Sequence, residues 1–292
     1  MFSKISHLIF KKDGTAQAIA MHRLVETLAE EDKRIITDSL AINFVFGGQL
    51  FKLMGYKFNT WLFKKIIPGL HEHLIARTKY LDNIIKQCIL NGTKQYVILA
   101  AGYDSRANRL KLSSDVKIFE LDQPEVQKRK LSILENIIPR SNKITYLEID
   151  FNHNSITKNL LNAGFDTEKD TIFTLEGISQ YITKDALYST LKEISQLTKK
   201  TKSTIFFSYT DSIINKSPQH LFGKNYPNPT KIMVRIKKIV NALSEPWISF
   251  YSIHEIKELL SKSNFNLKEI KNIKTLNYKY FNHDMLFVLL FL

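Results

Sequence analysis

The chain has 292 residues, enough to bury a full core as one large domain or as a core with an added cap. Its net charge of +14 would suit an anionic partner, but the lysines are dispersed as Lys11-Lys12, Lys64-Lys65, Lys128, Lys130, Lys199-Lys200 and Lys237-Lys238, the spread of a solvated face, and nucleic acid is not an expected partner. The single cysteine, Cys88, excludes an internal disulfide, and no run of 18 apolar residues is present to cross a membrane, so a cytoplasmic protein with no membrane partner is expected.

Met1 to Lys12 holds a short apolar patch without the long apolar core of a secretory signal. From Thr15 to Asn91 there is no strand alternation. Apolar residues at Ile19, Leu24 and Leu28, then at Leu74, Leu81, Ile84 and Ile85, predict helices, with Pro68-Gly69 as a break and Asn91-Gly92 as a stop. Residues 1–91 are therefore read as a helical cap and 92–292 as an α/β core. In the core, strands are expected at 95–100, 116–122, 144–150, 171–176 and 203–209, with helices at 105–111, 124–136, 155–163 and 184–198. Two further strands, 266–273 and 284–291, complete an expected seven-stranded, mostly parallel sheet with helices on both faces. An insertion at about 210–246, with Pro218, Pro227-Asn228-Pro229 and a helix from Thr230 to Leu243, is longer than an ordinary connection; it reads equally as a lid or as a packing helix.

Chemistry concentrates after the first strand. The apolar run Tyr96 to Leu99 breaks at Ala100-Ala101-Gly102, small enough for a ligand to approach the backbone. A second run, Ile118 to Leu121, ends on Asp122, 20 residues after Gly102, the spacing at which a carboxylate reaches a ribose diol. Glu120 shares the strand face of Asp122, but Gln123-Pro124 ends the strand, so only Asp122 sits at the carboxyl edge where such sheets bind ligands. The pattern points to a nucleoside cofactor.

Five ordered segments resemble the leucine carboxyl methyltransferase family of class I S-adenosylmethionine-dependent methyltransferases, in its bacterial branch of polyketide-type O-methyltransferases. They are Ala76-Arg77-Thr78-Lys79-Tyr80-Leu81-Asp82, Ala100 to Arg106, Asp122-Gln123-Pro124, Glu148 to Phe151, and Leu175 to Ile182. The resemblance runs from about Thr15 to about Thr204 and implies a Rossmann-like fold, S-adenosyl-L-methionine as cofactor, and an acceptor pocket between residues 15–60 and 210–250. It implies that Arg77 holds the methionyl carboxylate and that Asp150 and Phe151 border adenine. Ala101 and Gly102 would border the methionyl moiety, Asp122 would take the ribose hydroxyls, and Glu176 would accept from the cofactor ammonium. Ala100 departs from the family, which usually has glycine there, and matters if the backbone needs a positive φ.

Methyl transfer to a carboxylate needs no base, because a carboxylate is ionised at pH 7, and no His stands in the five segments. The expected acceptor is a carboxylate of a small, polyketide-like acid. A hydroxyl acceptor would need a proton removed and brings in His22, His71, His73 or Tyr181. Tyr181 and Arg106 are the acceptor-side candidates, though Asp104 and Arg106 read equally as a helix-start ion pair. His71-Glu72-His73 lacks metal-ligand spacing and reads as a solvated helix start, so no metal is expected. No phosphate-binding loop of the Gly-x-x-x-x-Gly-Lys type and no Gly-x-Ser-x-Gly elbow occurs. Alternatives are an NAD-dependent oxidoreductase, for which Ser105 replaces the third glycine of the usual turn, and a tRNA or protein carboxyl methyltransferase.

Overall fold

The computed structural model describes residues 13–139, 141–151, 155–219, 228–243, 245–271 and 273–281. Among the described residues three helices come first: α1 (Gly14–Thr27), α2 (Gly48–Ile66) and α3 (Leu70–Leu90), with a 3-10 turn at Ala41–Phe44. Gly69, at φ 79°, separates α2 from α3 at the expected Pro68-Gly69 break. The alternating part follows as β1 (Gln95–Leu99), α4 (Arg106–Arg109), β2 (Lys117–Asp122), α5 (Pro124–Glu135), β3 (Ile144–Glu148), α6 (Ile156–Asn162), β4 (Thr171–Leu175), α7 (Lys184–Leu197) and β5 (Thr204–Phe207). Then come α8 (Ile213–Lys216), α9 (Pro229–Ala242), α10 (Ile253–Lys262) and α11 (Ile273–Phe281).

The strands make one sheet in the order β3-β2-β1-β4-β5, every neighbouring pair parallel. Both faces are covered, which is why β1 and β4 are buried along their whole length and read as near-continuous apolar runs. Tyr96, Ile98, Ile118, Ile172 and Phe206 face a layer built on α3, α9 and α11. Val97, Leu99, Phe119, Phe173 and Phe207 face the opposite layer of α6, α7 and α10. Local signals agree with this packing. Pro124 opens α5, Thr183 accepts from the Ala186 N–H at the start of α7, and Ser252 with Glu255 forms a capping box on α10.

Among the described residues the sheet has five strands, not seven. The expected strand 266–273 is not among them: Asn266, Leu267, Lys268 and Glu269 are exposed and carry no strand pairing, and α11 follows. The expected strand 284–291 lies outside the described residues. α3 packs Ala76, Leu81 and Ile85 against the sheet, so the last helix of the expected cap covers the core directly. No described helix is long and apolar enough to cross a membrane.

β2 carries a buried ion pair beneath the site. Glu120 and Lys130 of α5 are both fully buried, with Lys130 Nζ donating to Glu120 Oε2 and the Gln127 side chain donating to the Glu120 carbonyl at 3.0 Å. Burial outweighs the attraction of Lys130 and pushes the Glu120 carboxyl up to about 6. Removing one partner leaves a buried charge alone. Lys130→Met is expected to destabilise the fold by about 3–5 kcal/mol, and Glu120→Leu added to it to recover most of that loss, both read by urea denaturation.

Candidate active site

The order of the sheet reverses at β1, whose neighbours β2 and β4 depart in opposite directions, and the crevice at the carboxyl ends of β1 and β4 is where such a sheet holds a ligand. A cavity of about 670 Å³ opens there, lined by Ile98 and Leu99 of β1, the turn Ala100 to Asp104, Asp122 at the end of β2, and Thr174 and Glu176 at the end of β4. α1 closes one side with Ala16, Ile19 and Arg23, and the segment after α9 closes another with Leu243, Glu245 and Pro246.

The turn is held by the carboxylate it was expected to accompany. Asp122 Oδ2 accepts from the Gly102 N–H and its Oδ1 from the Gln123 N–H at 2.6 Å. Burial dominates these bonds and raises its pKa from the ordinary aspartate value. Gly102 sits at φ 48°, and a Cβ there would lie 3.3 Å from the Ala16 Cβ, so the bare backbone lets α1 close on the turn.

Around the strand ends lies a dense charge cluster. Arg106 Nε donates to Asp82 at 2.7 Å, and its Nη1 donates to Asp104 at 2.6 Å and to Glu176 at 2.7 Å. Arg109 reaches the other Asp82 oxygen at 2.6 Å. Glu176 also accepts from Arg77 Nε at 2.5 Å. Burial alone would raise the pKa of Glu176, but Arg106 and Arg77 outweigh it and hold the carboxyl below its usual value. The same balance holds Asp104 down to about 2. A second set ties the cap to the turn: Arg23 donates to Asp38 at 2.7 Å and to the Tyr103 carbonyl at 2.5 Å, and Tyr103 Oη donates to Asp13.

The structure therefore brings Arg77, Ala101, Gly102, Asp122, Glu176, Arg106 and Tyr181 to one cavity. Asp150 and Phe151 follow β3 and do not line it; Phe151 packs against the layer of α6 and α7. Arg106 is spent on three carboxylates, which fits the ion-pair reading of the helix start better than an acceptor contact. Tyr181 accepts from Trp247 Nε1 at 3.1 Å, beside the closing segment. His71 and His73 are buried, not solvated as expected. His71 Nδ1 lies 3.1 Å from His22 Nδ1 and its Nε2 lies 3.2 Å from Glu26, all behind α1. None of the three histidines lines the cavity, and burial lowers the pKa of His22 and His73 well below the usual imidazole value. No group of His, Cys, Asp and Glu fit to hold a metal occurs among the described residues.

Sequence reasoning missed Asp13, Arg23 and Glu245 in the lining. Glu245 had one visible signal: it is the first acid after a run with none from Ser212 to Ser244. Its pKa is raised, first by burial.

Ala100 adopts φ 51°, the left-handed region that disfavours a side chain. Here the departure from the expected glycine has a measurable cost. Ala100→Gly is expected to raise stability by about 0.5–1 kcal/mol, since strain relief of roughly 1–2 kcal/mol exceeds the added freedom of the unfolded chain; a lowered Tm would refute it.

The comparisons with known proteins follow the same outline. Residues 16–195 match the model of the leucine carboxyl methyltransferase family. A Bacillus subtilis (strain 168) protein named "Putative S-adenosyl-L-methionine-dependent methyltransferase YktD" is 29% identical over 213 residues, covering 72% of this chain and 66% of its own length. A relative from Frankia alni is 32% identical over 42% of this chain, and the match spans 43% of that protein. In structure, a DUF574 family protein from Streptomyces avermitilis aligns at a TM-score of 0.56 with 12% identity, over 92% of this chain and 95% of its own. With the family model spanning well over half of its length, the chain belongs to the leucine carboxyl methyltransferase family.

Proposed function

We propose that the chain is an S-adenosyl-L-methionine-dependent methyltransferase that transfers a methyl group to an oxygen of a small-molecule acceptor. The observation that carries this reading is the convergence of Asp122 and the Arg77–Glu176 pair on one cavity at the switch point of the sheet. The donor set fits the cofactor. Asp122 offers acceptor oxygens to a ribose diol, and a guanidinium beside a carboxylate matches the carboxylate and ammonium of an amino acid. The Ala100 to Gly102 backbone leaves room for close approach. Asp150 stays a candidate for the adenine side only through its place in the loop after β3, where the Ile149 N–H donates to the Asp122 carbonyl at 2.8 Å.

When bound, the cofactor supplies a methyl group on a cationic sulfonium. The chain's own residues orient it, and the helical cap and the 210–246 insertion exclude water from the acceptor. A carboxylate acceptor, the reading we put first, is ionised without help, and no His lines the cavity among the described residues. A specific observation favours a second reading: Glu245 faces the cavity with a raised pKa, as a base for a hydroxyl acceptor would.

In thermal denaturation, S-adenosylhomocysteine at a hundredfold excess over its Kd is expected to stabilise the protein by about 2.7 kcal/mol, while NAD has no effect. Asp122→Asn and Arg77→Ala should abolish that stabilisation yet fold, since Asn keeps an acceptor oxygen and Glu176 keeps Arg106. Stabilisation by NAD alone would overturn the proposal. Once an acceptor is recovered by screening for methyl esters and ethers, the pH profile separates the two chemistries. For a carboxylate, kcat/KM should stay flat from about pH 6 to 8 and survive Glu245→Gln. For a hydroxyl it should rise with pH as Glu245, whose pKa burial raises, loses its proton, and collapse in Glu245→Gln.

A further inference from the structure

Two long stretches of the chain contain no acid: one between Asp38 and Glu72, the other between Asp211 and Glu245. The first includes α2 and the second includes α9. They meet in the fold, where Arg235 of α9 donates through Nη1 to the carbonyls of Lys65 and Ile66 at 3.1 and 2.8 Å.

The outer side of this joint surface is apolar and basic together. Phe46, Leu50 and Leu53 recur at a spacing of four and three residues and are 67%, 58% and 84% exposed. Beyond the kink at Gly55, Phe58 and Trp61 are exposed with ring centroids 5.7 Å apart, and Ile66 follows. Single exposed apolar residues need no explanation, but a series along one element marks a binding surface. Lys52, Lys57, Lys64 and Lys65 stand exposed among them. On α9, Lys231, Val234, Arg235 and Lys238 are exposed at helical spacing and extend the same charge. Glu30, whose field reaches Lys57, is paired with Lys33.

We infer that this face, α2 with the outer side of α9, docks the protein on an anionic lipid surface. Aromatic and leucine side chains interleaved with lysines suit the boundary between headgroups and acyl chains, where the apolar groups bury and the lysines meet lipid charge. A second copy is a poor occupant: in a two-fold interface this patch meets itself, lysine against lysine, with no acid within either stretch to pair. Bases of a single strand stack on aromatic rings such as Phe58 and Trp61, but they leave the aliphatic Leu50, Leu53 and Ile66 with no place to bury. The missing membrane span is no obstacle, because a peripheral helix lies in the interface without crossing it. α9 runs directly into Leu243, Glu245 and Pro246, so docking sets the segment that closes the cavity beside the lipid.

The test is co-sedimentation of the full chain with vesicles of phosphatidylcholine alone and of phosphatidylcholine with phosphatidylglycerol. Binding is expected only to the anionic vesicles, weakened by salt, with a blue shift in tryptophan fluorescence that disappears in Trp61→Phe. Each lysine near such a surface contributes roughly fivefold in affinity, so Lys64→Glu with Lys65→Glu should lose about thirtyfold or more. Leu53→Glu should weaken binding at unchanged Tm, since all three side chains are exposed and Arg235 engages only backbone of Lys65. Absence of binding to either vesicle overturns the inference, as does equal binding to both. A dimer in sedimentation velocity that Leu53→Glu dissociates, without vesicle binding, would assign the face to a second copy and likewise overturn it.

Discussion

A guanidinium buried among three carboxylates organises the rim of this molecule. Arg106 stands at the start of α4 and bonds Asp82 of α3, Asp104 of the turn after β1, and Glu176 after β4. Those three acids come from segments that share no local sequence, so the cluster fixes the helix, the turn and the strand end against one another. Arg109 and Arg77 complete it, leaving three cations and three anions. That balance is what makes burial tolerable: a lone charge at this depth would lose several kcal/mol of hydration, whereas each group here has a partner at 2.5–2.8 Å. The consequence for function is orientation. Glu176 is held ionised and fixed between Arg106 and Arg77, so the Arg77 side chain is aimed before any ligand arrives.

The turn at Ala100 to Asp104 depends on the cap as well as on the sheet. Arg23 of α1 donates to the Tyr103 carbonyl while Asp38 takes both Arg23 and the Ser105 hydroxyl, at 2.7 and 2.6 Å. Ala16 presses on Gly102, and Tyr103 stacks on Phe44 with ring planes 9° apart. The site is thus made jointly, and a cap that opened would release the turn from one side. Ala100 holds its strained backbone because both neighbours of the turn over-determine it.

How much of this was legible follows from the range of each interaction. β1 to β5 and the helices between them were readable because a strand buried on two faces and a helix with one apolar stripe announce themselves within a few residues. Asp122 was readable too, since strand, turn and acid lie within one local unit. Contacts between distant segments were not. Arg106 read equally as an acceptor contact and as a helix-start ion pair, because nothing near it in sequence foretells Asp82 or Glu176. His71 looked solvated because the rings that cover it come from distant segments, His22 of α1 and Phe63 of α2. In the segment 266–273 the apolar residues Leu267, Ile270 and Ile273 recur every third position, a spacing that matches a strand face poorly.

Charge is distributed against the grain of the composition. The molecule carries a net +14, but the cavity is lined by five carboxylates, Asp13, Asp104, Asp122, Glu176 and Glu245, and by three guanidiniums, with no lysine or histidine among the described lining. Coulomb energy falls with distance and with dielectric, so these nearby, poorly solvated groups dominate the potential inside while the dispersed surface lysines are screened within about 10 Å of salt solution. A basic exterior and an acidic interior therefore coexist without conflict. The interior favours a ligand with positive charge to place among carboxylates, as a sulfonium bearing an ammonium has, and its excess of acid sets a condition on the acceptor. An anion entering beside an ionised Glu245 meets repulsion, whereas a neutral group does not. Burial raises the pKa of Glu245, so the acid excess of the cavity reaches its full value at a higher pH than ordinary glutamates would set.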